Sequence, residues 1–98
     1  MSTEDRHAAQ RRLNELLSML RANPGRDQLT RLIEESEALD RAISAFHMEG
    51  IRFRIYNVDR MVQHPAAPLP PEAASIVADV RKHLEAAGFH TRSHQSPT

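Results

Sequence analysis

This chain predicts an all-α domain, on three observations. Apolar residues recur at spacings of three and four through most of the length, the period of a buried helical face. Turn signals are concentrated in "NPGRD" at 23–27 and "HPAAPLPP" at 64–71. One short stretch alternates apolar and polar residues as a strand would, and no second one exists to pair with it. The expected architecture is three helices with coiled-coil-like packing. A long central helix forms an antiparallel hairpin with the first, and a third lies near the C-terminus.

The first helix should cover about residues 4–22. Ala9, Leu13, Leu16, Leu17 and Leu20 fall in one stripe roughly 100° wide, and Arg11, Asn14, Glu15 and Ser18 cover the other side. Ser2 or Thr3 can cap its start, where Glu4 and Asp5 suit the positive end of the dipole.

The second helix should run over about 28–63, with Asp27 as its N-cap. Leu29, Leu32, Ser36, Leu39, Ile43 and Phe46 recur at heptad a/d spacing, with Ser36 the one polar member. Glu37 and Arg41 stand at i,i+4, as a helix-surface ion pair requires. The difficult stretch is "HMEGIRFRIYNVDRMVQHP", 47–65. Ile51, Phe53 and Ile55 alternate with Arg52, Arg54 and Tyr56 in residue types that favour sheets. A lone strand, however, leaves its backbone groups unpaired unless another chain supplies a partner.

Read as helix, the same stretch places Met48, Ile51, Ile55, Val58 and Met61/Val62 within about 80° on a helical wheel. No turn pair interrupts 28–63, and Pro65 supplies a stop. Gly50 then costs about 1 kcal/mol without forbidding a continuous helix. The first half of that helix would meet helix 1. Its second half, turned by roughly a quarter turn, would meet the third helix, so the two partners dock at opposite ends on different faces.

The third helix should cover about 71–87. Pro70 or Pro71 suits its first turn, Gly88 suits the C′ position, and Ala73, Ile76, Val77, Val80, Leu84 and Ala87 line one face. Residues 1–89 make a single helical domain, and 90–98, "HTRSHQSPT", a polar tail.

Composition narrows the function classes. Thirteen basic and thirteen acidic residues cancel, so the chain lacks the broad positive field that draws nucleic acid. Without cysteine there is no disulfide framework, thiolate nucleophile or thiolate metal site. No apolar run approaches the roughly 20 residues of a membrane span, and the polar start lacks a signal peptide's apolar segment, so a cytoplasmic location is expected. Twelve of the thirteen basic residues are arginine, whose planar fork pairs with carboxylates and stacks on rings at interfaces.

No catalytic constellation emerges, and neither a metal nor another cofactor is expected. His90 and His94 have ligand spacing but lie in the expected tail with no third ligand nearby. Glu4-x-x-His7 resembles the Glu-x-x-His element of ferritin-like di-iron proteins, which need a second such element and inward glutamates. His83, at the edge of the third helix's stripe, reads as a partly buried structural histidine. "AFHMEG" around His47 is loosely similar to the histidine phosphotransfer signature, but its glycine comes one residue early and a glutamate replaces the lysine. Glu34, Glu35, Glu37 and Asp40 read as a solvated acidic face.

What remains is association. Glu49, Arg52, Phe53, Tyr56 and Arg60 share one side of a helix, and two aromatics among arginines match the makeup of interface hot spots. The expected function is a helical protein–protein association module, a homodimer through this face or an adaptor for another protein. The competing reading of the rings is that they fold over helix 1 and complete the monomer core, since Phe53 continues the a/d register of 29–46. The competing function is a nucleic-acid-associated regulator using the arginines of 52–60, against which Glu49 and Asp59 offset the charge locally.

Overall fold

The apolar stripes become four helices rather than three. In the computed structural model, which describes residues 3–91, α1 spans Thr3–Arg21, α2 Thr30–Ser44, α3 Met48–Gln63 and α4 Ala73–Ala86, with a 3₁₀ turn at Arg26–Leu29. No strand occurs among the described residues, and Ile51–Tyr56 lie inside α3. The sheet reading of that stretch is therefore wrong. The helix reading is right for its type and wrong for its continuity.

The expected central helix breaks at residues 45–47. Phe46 adopts φ 55, and two backbone bonds close the end of α2 around it. The Phe46 N–H donates to the Ile43 carbonyl at 3.2 Å and the His47 N–H to the Ala42 carbonyl at 3.0 Å. This is a Schellman C-cap with phenylalanine where glycine usually stands. A bulky side chain in the left-handed region costs about 1–2 kcal/mol, and the ring's contacts offset that cost. Its centroid lies 6.1 Å from that of Phe89, and the Arg6 guanidinium carbon sits 4.3 Å from it.

His47 then starts α3. Its backbone is extended, and its Nδ1 accepts from the Gly50 N–H at 3.0 Å. Histidine here does what serine or aspartate usually does, satisfying an N-terminal donor. The same contact explains Gly50. A Cβ at position 50 would stand 2.3 Å from His47 Nδ1, so the ring and any side chain there exclude each other. Gly50 is room for the cap.

Two other helix ends differ from expectation. Asp27 is not the cap of α2; it lies in the 3₁₀ turn with its side chain in solvent, and Leu29 occupies the N-cap without a side-chain bond. Pro70 and Pro71 precede α4 rather than open it, and the Pro70 carbonyl accepts from the Ala73 N–H at 3.1 Å. Gly88 does terminate α4 as expected. At φ 98 it sends its N–H to the Glu85 carbonyl, while the Phe89 N–H reaches the Leu84 carbonyl.

Breaking the central helix changes the packing. α3 folds back on α2, and α4 lies chiefly along α1 rather than at the far end of a long rod. Each helix touches its chain neighbours, α4 closes on α1, and the diagonal pairs α1–α3 and α2–α4 make no close backbone approach among the described residues. The result is a closed ring of four helices around one core, not the hairpin with a third helix docked apart. Leu13, Leu16, Leu20, Leu39, Ile43, Ile51, Ile55, Val58, Val80 and Leu84 fill that core. Phe89 and Thr91 are also buried, and the Thr91 hydroxyl donates to Glu85 at 2.6 Å. The rest of the expected tail, 92–98, lies outside the described residues.

Ser36 is fully buried, and its Oγ has no hydrogen-bond partner. A buried hydroxyl without a partner forfeits its hydration and gains nothing in return. Ser36→Ala is therefore expected to stabilise the bundle by about 1 kcal/mol. For a domain of this size that corresponds to a rise of roughly 4–8 °C in Tm. Scanning calorimetry of the two proteins checks it, and a lower Tm for the alanine variant would contradict it.

Candidate partner interface

The face expected to meet a partner survives the break, because all five of its residues lie within α3. Glu49, Phe53 and Arg60 are exposed, and Arg52 and Tyr56 half-buried. Phe53 retains 46% of its surface, so it does not fold over α1 to complete the monomer core. Arg60 lies over the Tyr56 ring at 5.9 Å, and Arg54 over the Phe53 ring at 5.2 Å, both cation–π arrangements. Arg52 and Glu49 approach to 4.0 Å. Phe53 also forms a wall of a shallow groove between α2 and α3, where Ala38 and Ala42 present methyl groups, Gly50 presents bare backbone, and Arg41 and Arg54 present charge.

Ion pairs elsewhere hold the helices in register. Arg54 pairs with Glu35, and Asn57 Nδ2 donates to the other oxygen of the same carboxylate at 2.9 Å, tying α3 to α2. Arg12 donates to Asp79 at 2.7 Å and to Glu15 at 2.6 Å, tying α1 to α4. The bonds to Asp79, then those to Glu15, raise the Arg12 guanidinium above its already high ordinary value. Arg81 lies 3.6 Å from Asp59 between α4 and α3, and His83 lies 3.2 Å from Asp5 between α4 and α1.

These pairings revise several sequence readings. The acidic run of α2 is not simply solvated: Glu35 holds Arg54, Glu37 holds Arg21 at 2.7 Å, and Asp40 accepts from Gln10. Glu37 thus pairs across to α1, rather than with Arg41 on its own helix. Of the arginines considered for phosphate, Arg54 is committed to Glu35, and Arg52 has Glu49 beside it. His47, compared with a phosphotransfer histidine, spends Nδ1 on its helix cap. His83 is half-buried, as expected, and lies beside Asp5. No group of three or more metal-ligating side chains converges among the described residues; His94 is outside them.

The sequence reading missed the aromatic contact between Phe46 and Phe89 and the anchoring of Arg6 upon it. Only the break makes it possible, since a continuous helix would have carried Phe46 along the seam. No helix among the described residues is long and apolar enough to cross a membrane. Comparison with protein-family models, curated proteins and solved structures finds no significant match to the chain.

Proposed function

We propose that this protein is a helical association module that pairs with a second copy of itself through the outward face of α3. One observation carries the reading. Phe46, Met48 and Phe53 are the exposed large hydrophobics among the described residues, at 49%, 45% and 46%, and all three fall in the α2–α3 connection or the first two turns of α3. Apolar surface gathered in one region and set among arginines favours burial by a partner. Glu49, Arg52, Tyr56 and Arg60 supply the polar surround, in which Arg52 or Arg60 would pair with the second copy's glutamate across a two-fold axis.

The test is Phe53→Ser combined with Tyr56→Ser, followed by light scattering and circular dichroism. The expected product is a folded, helical monomer from a dimeric parent, with self-affinity lowered at least about tenfold, as loss of a central aromatic anchor does. A double variant that stays dimeric at the same concentrations would contradict the assignment of the face.

A further inference from the structure

Residues 30–63 carry one unbroken helical pattern in the sequence and two helices in the structure, and the junction bears the backbone strain. The connection is three residues long, Ala45, Phe46 and His47, with no glycine or proline among them. Phe46 is the one non-glycine residue with positive φ among the described residues. Its ring, held by Phe89 and Arg6, keeps it there. Phe53 stands seven residues beyond Phe46, one heptad, so in an unbroken helix it would extend the seam of Leu39, Ile43 and Phe46. In the folded-back chain it is left 46% exposed instead.

We infer that the α2–α3 junction is a hinge through which two copies of the chain exchange their α3–α4 halves. Residues 45–47 turn helical and join α2 to α3, and the α3–α4 pair of each copy packs on the α1–α2 pair of the other. The α1–α4 and α2–α3 contacts are remade between chains, so exchange sacrifices little of the core. Phe46 returns to ordinary helical φ. Met48 and Phe53, beside the hinge, lie where the two long helices pass each other. The joined helix would be about 50 Å long, against a longest dimension of 38 Å for the folded-back chain. This inference rests on the self-association reading and names the way the second copy is engaged.

The chain lacks cysteine, which allows a direct test. Glu35 and Asn57, whose side chains meet at 2.9 Å across α2 and α3, are changed together as Glu35→Cys with Asn57→Cys. The dimer fraction is isolated by size exclusion, joined with a short bis-maleimide and run on a denaturing gel. Exchange is expected to give covalent dimers, because residue 35 of one chain faces residue 57 of the other. Internally linked monomers from the same fraction would overturn exchange while leaving face-to-face pairing intact; absence of any dimer fraction would overturn both.

A second pair of variants needs no cross-link. Phe46→Gly suits the left-handed region and should lower the dimer fraction, whereas Phe46→Ala loses the ring that holds the turn and should raise it. The two should differ at least about fivefold. Equal dimer fractions would overturn the hinge.

Discussion

Leu39→Ala is expected to cost the bundle about 2–5 kcal/mol, the usual range for emptying a leucine site in a packed core. Leu39 is fully buried in α2, and Leu16 of α1 and Leu32 of α2 are buried in the same core cluster. A domain of this size has only about 5–10 kcal/mol in hand, so the denaturation midpoint in urea should fall by a large fraction. Removing three carbons from the seam also leaves a void that the surrounding core closes only in part, which places the cost above the transfer term alone. A loss under about 0.5 kcal/mol, the level of an ordinary surface change, would show that the seam is assigned wrongly.

Gly88→Val should be the next most damaging single change considered, at about 1–3 kcal/mol. Gly88 holds φ 98 while its own N–H and that of Phe89 close the end of α4. A β-branched side chain resists that conformation strongly. The damage should spread, because Phe89 is buried at 3% exposure and its ring meets Phe46. Gly88→Asn, which tolerates the left-handed region, should cost clearly less. Urea titrations of the three proteins settle the order, and a valine variant as stable as the asparagine one would contradict it.

These two glycine and leucine sites were legible in the sequence. Leucines at heptad spacing and a glycine after the last apolar position of a stripe each have a local cause, and local causes show in a sequence. The break between α2 and α3 was not legible, because its determinants are unusual choices for their positions. The C′ position holds phenylalanine rather than glycine, and the N-cap holds histidine rather than serine or aspartate. The nearby Gly50, which read as a tolerated defect in a long helix, is the space in which the His47 ring sits.

What stabilises the turn comes from Phe89 and Arg6, far away in the chain, so no local pattern could announce it. Once the break is known, α3 must fold back, and α4 is free to lie along α1. The candidate face on α3 was readable for a simpler reason. Helical spacing alone sets Glu49, Arg52, Phe53, Tyr56 and Arg60 on one side, and that spacing holds whether or not α2 continues into α3.

The pairing of this chain with itself is the claim on which the functional account depends. Sedimentation velocity on the unmodified protein, over a wide concentration range, tests it most directly. A monomer that converts to a species of twice the chain mass as concentration rises, with Phe53→Ser shifting that conversion to higher concentration, is the expected result. A single species of one chain mass at every concentration would contradict it.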